Sequence, residues 1–326
     1  MTPYVGRLAP SPTGALHLGN VRTFMIAWLR ARSQGGKVVF RMEDLDHPKD
    51  KPGAAAQAVE DLRWLGFDWD EEYVQSERKA IYREALEALG DLVYPCVCSR
   101  RDVEAAQSAP HAGEQLYYPG TCRGRFKSWG EAFDFKHRVT ESQRGGSPCL
   151  CASVFKPCWR FKVPENAVVS FDDAFAGHCE QDVAKTLGDF PLARNEFGAG
   201  YTLACAVDDL LMGVTEVVRG DDLLAATPAQ ILLAEALRQT LRPSTFNFQP
   251  SYCHVPLVVG KDGRRLAKRH GDTRISTYRA EGRCPEEIIG FLAASCGWAA
   301  EGERVSLADL VPRFDLGTIP HSPFMI

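Results

Sequence analysis

Apolar positions along this chain change period from one segment to the next, and the changes predict an alternation of strands and helices. Tyr4 to Leu8 is a short apolar run leading into a Pro/Gly-rich turn. His17-Leu-Gly19-Asn20 then opens a helical pattern with Phe24, Trp28 and Leu29 at apolar spacing. Lys37 to Met42 reads as a buried strand ending in the acidic cluster Glu43-Asp44-Leu45-Asp46. Pro52 marks the start of a second helix, Ala58, Leu62 and Leu65 supply its stripe, and Gly66 stops it. A third helix is predicted from about Glu77 to Leu89. Together these pieces make half of a doubly wound sheet.

From Tyr94 to about Asp189 the pattern dissolves into cysteines, basic residues and Pro/Gly turns, as expected of an inserted subdomain. The alternation returns from Tyr201. Leu203 to Val207 and Val214 to Arg219 are expected as strands, Thr227 to Leu241 as an amphipathic helix, and the tail after His270 as mostly helical. No internal repeat or low-complexity tract interrupts it.

The composition narrows the class. With 326 residues, 45% hydrophobic and 25% charged, the chain has enough length for two domains and a substantial core. No apolar run approaches a membrane span and no signal pattern opens the chain, so no membrane partner and a cytoplasmic location are expected. A net charge of −4 gives no global basic field. Contact with nucleic acid would need local patches: Arg100-Arg101, Arg123-Arg125-Lys127, or Arg264-Arg265 with Lys268-Arg269. Eleven cysteines are an odd, scattered set, better suited to metal binding and reduced thiols than to a disulfide framework.

The candidate chemistry starts at the first turn. A strand, a tight turn and a helix N-terminus form an anion-binding corner, because free N–H groups and the helix dipole point into it. His17 can contact a phosphate oxygen there, and Gly19 leaves room for a flat base. The run Arg7-Leu8-Ala9-Pro10-Ser11-Pro12-Thr13-Gly14 joined to His17-Leu-Gly19-Asn20 resembles the "HIGH" signature of class I aminoacyl-tRNA synthetases in its glutamyl version. The resemblance implies a Rossmann-type α/β fold with a doubly wound parallel sheet. It also implies an ATP site at His17, Gly19 and Asn20, with His17 and Asn20 catalytic.

Further along, Tyr201-Thr-Leu-Ala-Cys-Ala-Val-Asp208-Asp209, Gly213 to Leu223 and Thr227-Pro-x-Gln230 are similar to the second half of the same fold. By that resemblance Arg7, Leu8, Ala9, Pro10, Ser11, Tyr201 and Arg219 contact L-glutamate, and Glu43 receives its ammonium. Guanidinium forks suit the two carboxylates of glutamate. Gly260 to Arg269 resembles the "KMSKS" loop, with Arg265 in place of the first lysine and Ala267 in place of the serine. Lys268 is the retained ATP-contacting, catalytic lysine, acting on ATP with Mg2+.

In the insert, Cys96-Val-Cys98 and the later Tyr118-Pro-Gly-Thr-Cys122 can converge on one tetrahedral cation, although buried free cysteines are common. The family resemblance implies that Cys96, Cys98, Tyr118 and Cys122 hold one structural zinc. Cys149, Cys151 and Cys158 form a second cluster that the resemblance does not cover, favoured as reduced thiols. The expected organisation is 1–93 as the first half of the catalytic domain, 94–189 as an inserted zinc-binding subdomain, 190–259 as the second half, and 260–326 as the loop and a short helical tail. Full glutamyl-tRNA synthetases continue into helical anticodon-binding domains. A chain stopping at Ile326 resembles instead the shortened paralogues, expected as monomers, that attach glutamate to the queuosine base in the anticodon loop of tRNA(Asp). The alternatives are the catalytic part of an ordinary glutamyl-tRNA synthetase and a non-catalytic glutamate- or tRNA-binding paralogue.

Overall fold

The structure, a computed structural model, describes residues 3–45, 51–105, 117–142, 157–241, 249–264, 266 and 273–326. In chain order the elements begin β1 (Val5–Leu8), α1 (Leu18–Arg32), β2 (Lys37–Met42), α2 (Ala54–Trp64), β3 (Glu71–Val74), α3 (Lys79–Ala88), β4 (Val93–Cys96), α4 (Arg100–Ala105) and α5 (Trp129–Ser142). The middle of the chain adds β5 (Cys158–Phe161), β6 (Val168–Asp173), β7 (Gly177–Asp182), α6 (Val183–Thr186), β8 (Pro191–Arg194), β9 (Gly198–Ala199) and α7 (Tyr201–Leu211). After it come β10 (Glu216–Gly220), α8 (Thr227–Leu241), β11 (Ser251–Val255), β12 (Val258–Val259), α9 (Ile275–Ala280), α10 (Pro285–Ala294), α11 (Leu307–Leu310) and β13 (Phe324–Met325).

Strands β1, β2 and β3 are parallel neighbours in that order, and β10 and β11 are a second parallel pair. The two groups meet at β1 and β10. The Thr215 N–H donates to the Val5 carbonyl at 2.9 Å, and the Val5 N–H donates to Thr215 Oγ1 at 2.9 Å. The layout therefore runs β3-β2-β1-β10-β11 and reverses direction of growth between β1 and β10. In open α/β sheets that switch point, at the carboxyl ends of the strands, is where ligands bind. One core packs α1 against the sheet and against the tail, through Val21, Met25 and Ile26 with Ile275, Ile289 and Leu292.

The insert has its own antiparallel sheet, β4-β5-β8-β9. Sheet membership cuts across the expected 94–189 boundaries. The β6-β7 hairpin joins the catalytic sheet, with Asp173 paired to Tyr252 of β11, while β8 and β9 belong to the insert.

One expected strand is a helix. Leu203 to Val207 lies inside α7, and Asp208 and Asp209 are helical rather than at a strand end. The helix is buried on nearly all sides, from Leu203 through Asp208. A short continuous apolar run of that kind carries no periodicity that separates strand from helix. Among the described residues, no helix is long and apolar enough to cross a membrane.

Candidate active site

The turn after β1 leads directly into the N-terminus of α1, and His17 caps it. The imidazole Nδ1 accepts the N–H groups of Gly19 (3.1 Å) and Asn20 (3.4 Å), and Asn20 Oδ1 accepts the His17 N–H at 3.2 Å. This reciprocal box satisfies donors that a helix start leaves open. It also assigns the ring's chemistry: with Nδ1 accepting, the neutral imidazole carries its proton on Nε2. Gly19, which also lines the cleft, is required by the cap itself. A Cβ there would stand 3.1 Å from His17 Cε1 and Nδ1, so the missing side chain makes room for the capping imidazole itself.

A cleft of about 1150 Å³ opens over this corner. Arg7, Ala9, Pro10, Ser11, His17, Gly19, Asn20, Glu43, Tyr201 and Arg219 all line it. Leu8 does not: its side chain is fully buried in the apolar core. Lys268, Arg265, Ala267 and Asp46 lie outside the described residues. The described ends of the 260–275 segment are nevertheless tied to the corner. Leu18 N–H donates to the Thr273 carbonyl at 3.1 Å, Ile275 N–H donates to the Leu16 carbonyl at 2.9 Å, and Leu266 lines the cleft.

Three buried arginines lie at or beside the cleft, Arg7 and Arg219 lining it and Arg41 pairing with its Glu43. Arg41 on β2 is neutralised by carboxylates, with Nη1 2.6 Å from Asp209 Oδ1 and Nη2 3.0 Å from Glu43 Oε1. Arg7 on β1 donates through Nη1 to the Val218 carbonyl at 2.5 Å, and its buried Nε has no hydrogen-bond partner among the described residues. Asp209 is 3.9 Å from that Nε. Arg219 on β10 donates to His254 Nε2 (2.9 Å) and Thr227 Oγ1 (2.7 Å), both uncharged acceptors. Arg7 and Arg219 thus bring positive charge to the switch point from its two sides. The anchoring carboxylate Asp208 is itself fully buried and accepts from Gln75, Arg78 and Tyr82 at 3.0, 2.8 and 2.7 Å.

In the insert, Cys96, Cys98 and Cys122 bring their sulfurs within 4.8 Å of one another. Tyr118 Oη lies 3.2 Å from Cys96 Sγ and 3.6 Å from Cys98 Sγ, and Cys98 and Cys122 are 3.6 Å apart. Zinc–sulfur bonds of about 2.3 Å in a tetrahedron place sulfurs about 3.8 Å apart, so the cluster has the size of a zinc site. Hydrogen bonds from Cys122, Cys158 and Cys98 push the Cys96 thiol well below its ordinary value. Cys158, expected with the second cluster, is instead the cross-strand partner of Cys96; Cys149 and Cys151 lie outside the described residues.

The basic candidates of the insert divide. Arg123 is engaged internally, its Nε donating to Asp189 Oδ2 at 2.6 Å and its Nη2 to Asp189 Oδ1. Arg125 lies over the Phe135 ring, 4.4 Å from its centroid. Arg100 and Arg101 are exposed at the start of α4.

A family description of tRNA synthetases class I (E and Q), catalytic domain, matches residues 4–311. The chain belongs to this family. It is 43% identical over 335 residues to a glutamyl-Q tRNA(Asp) synthetase of Symbiobacterium thermophilum, covering 98% of this chain and 95% of that protein. It is also 43% identical to one of Rhodopirellula baltica, covering 100% and 97%. Among solved structures, a glutamate tRNA ligase from Elizabethkingia meningosepticum in complex with its amino acid superposes with a TM-score of 0.75. That pair is 27% identical and covers 100% of this chain and 67% of the ligase.

Next to the residues that line this class I synthetase cleft, sequence reasoning missed Arg41, which pairs with Glu43, and His254 and Asp173, which stand behind Arg219. For two of them a signal existed. Arg41 and His254 are charged or titratable residues inside otherwise apolar strands, and such residues are almost never fully buried unless paired. What the chain alone could not give was the pairing of Arg41 with Asp209, 168 residues away, and of His254 with Asp173, 81 residues away.

Proposed function

We propose that this protein activates L-glutamate with ATP and transfers the glutamyl group to the queuosine base in the anticodon loop of tRNA(Asp). The observation that carries the activation half is the pair Arg7 and Arg219, whose guanidiniums face one cleft from β1 and β10 with Glu43 and Tyr201 beside them. Two carboxylates of one small molecule are the natural occupants. Its ammonium falls to Glu43, of which one oxygen is held by Arg41 and by the Cys205 thiol, leaving the other for the ligand. The acceptor half is supported by the end-to-end likeness to glutamyl-Q tRNA(Asp) synthetases.

In the first step a glutamate α-carboxylate oxygen bonds to the α-phosphorus of ATP, the bond to the bridging oxygen breaks, and pyrophosphate leaves. His17 Nε2–H and the positive end of the α1 dipole stabilise phosphate charge, with Asn20 holding the imidazole and Gly19 giving it room. Lys268 neutralises the departing pyrophosphate, and Mg2+ accompanies ATP as counterion. In the second step a hydroxyl of the queuosine ring attacks the mixed anhydride and AMP leaves. Cys96, Cys98, Tyr118 and Cys122 hold one structural zinc that fastens the insert. We place the enzyme in the cytoplasm, acting as a monomer.

The test offers radiolabelled glutamate and ATP with tRNA(Asp) containing queuosine, the same tRNA with guanine there, and tRNA(Glu). Label is expected only on the first, at the anticodon base. Label on the terminal ribose of tRNA(Glu) alone would make the protein an ordinary glutamyl-tRNA synthetase. Absence of glutamate-dependent pyrophosphate exchange would make it a binding paralogue.

A further inference from the structure

Arg219 is oriented without being neutralised, and the device behind it extends two residues further. Behind the His254 ring that accepts Arg219 Nε–H, His254 Nδ1 lies 2.6 Å from Asp173 Oδ2. The other oxygen, Asp173 Oδ1, accepts the backbone N–H groups of His254 (3.0 Å), Phe175 (3.0 Å) and Ala176 (2.8 Å). Both side chains are fully buried. The Thr227 hydroxyl completes the group, 3.0 Å from His254 Nε2.

Only one proton arrangement satisfies this chain of contacts. An ionised Asp173 can only accept, so the imidazole carries its proton on Nδ1 and presents a bare Nε2 to Arg219. Burial pushes the His254 pKa down, favouring the neutral ring. Burial works against ionised Asp173, but the hydrogen bonds from His254 and the three backbone groups outweigh it and hold its pKa at about 2.

We infer that Asp173 and His254 are positioning residues for glutamate recognition: Asp173 fixes the tautomer of His254, and His254 aims Arg219 while leaving its charge uncompensated for the substrate carboxylate. A carboxylate directly on Arg219, as on Arg41, would hold the guanidinium equally well but would cancel the charge the substrate needs. A neutral histidine orients it and leaves the charge intact, with the balancing carboxylate displaced to the far side of the ring. This inference rests on the reading that Arg219 binds a carboxylate of glutamate.

The isosteric substitution Asp173→Asn separates proton arrangement from shape. Asn Oδ1 keeps the three backbone contacts, while Nδ2–H donates to His254 Nδ1 and forces the ring proton onto Nε2. Two donors, His254 Nε2–H and Arg219 Nε–H, then face each other. In glutamate-dependent pyrophosphate exchange, the KM for glutamate should rise on the order of tenfold to a hundredfold with the KM for ATP unchanged. Nitrogen NMR of histidine-labelled protein should show the His254 proton moved from Nδ1 to Nε2. An unmoved proton, or a moved proton with an unchanged glutamate KM, overturns the inference.

Arg219→Ala, run in parallel, distinguishes the two levels. If it raises the glutamate KM while Asp173→Asn is silent, the positioning role alone falls. If Arg219→Ala is silent, the carboxylate-binding reading falls and takes the inference with it. Should Asp173→Asn fail to fold, His254→Gln against His254→Leu decides. Glutamine keeps an acceptor for Arg219 and should retain much of the glutamate affinity that leucine loses; equal KM values overturn the role.

Discussion

At the scale of single residues, the cleft separates what stabilises from what acts. Gly19→Ala places a methyl group 3.1 Å from the His17 ring on a helix position with ordinary backbone angles. Alanine favours helix over glycine by about 1 kcal/mol, and loosening the His17 cap costs a similar amount, so thermal stability should change little. The imidazole must shift, and kcat/KM for ATP in pyrophosphate exchange should fall about tenfold. Loss of stability without loss of exchange would contradict this assignment. Asp61 gives a second residue-scale test. It is fully buried on α2, neither carboxylate oxygen has a hydrogen-bond partner among the described residues, and Arg279 Nη1 stands 3.5 Å away. Burial raises its pKa from 3.8 to about 6, opposed by Arg279. The folded state therefore holds the proton more tightly than the unfolded chain. The resulting cost is absent below about pH 4, grows as pH rises towards 6, and is complete above it. Asp61→Asn should stabilise the protein at pH 7 by up to about 3 kcal/mol and bring little change at pH 3.5. Chemical denaturation at both pH values checks it, and destabilisation at pH 7 would mean that the Arg279 attraction dominates.

At the scale of elements, legibility followed the strength of local signals. β2 and α8 have the bounds their patterns predict, because one is an apolar run stopped by acids and the other a long periodic stripe. α7 was misread because tertiary burial on almost every side erased its period. Arg7, His17, Asn20, Tyr201 and Arg219, which line the cleft, lay in recognisable motifs, whereas the Asp173–His254–Arg219 chain joins three strands far apart in sequence, so a buried titratable residue could be read locally but its partners could not. The cysteines were legible through spacing, but the place of Cys158 opposite Cys96 needed the β4–β5 register. That register makes the insert's metal dependence testable. The sulfur cluster sits at the end of β4, in a small apolar cluster of its own. Chelation should release about one zinc per chain and raise amide exchange first in β4 and residues 117–126, with β1 and β2 still protected. Uniform loss of protection across both sheets would mean that the metal holds the whole fold, and no released zinc would leave the cluster as reduced thiols.

For the whole molecule, the net charge of −4 sets the terms on which the proposed RNA substrate can be held. Long-range attraction is weak, so affinity for RNA must come from a few placed cations and should show a shallow salt dependence. The sequence offers Arg100, Arg101, Arg123 and Arg125 for this role, and the structure divides them. Arg123 is bound to Asp189, a buried carboxylate that also takes the Tyr94 hydroxyl and the Val163 N–H. Removing Arg123 strips a partner from a buried charge and should destabilise the insert by about 3 kcal/mol or more. Arg101, exposed on α4, makes no ion pair among the described residues and should act on RNA alone. Arg101→Ala is therefore expected to leave the melting temperature unchanged and weaken binding of queuosine-containing tRNA(Asp). It should reduce the slope of log affinity against log salt by about 0.7, the value for one phosphate contact on a single strand. Arg125→Ala, which removes a cation lying over an aromatic ring, should cost stability with little change in slope. The opposite pattern, a slope altered by Arg125→Ala and untouched by Arg101→Ala, would move the RNA path off α4 and onto the face carrying Phe126 and Phe135.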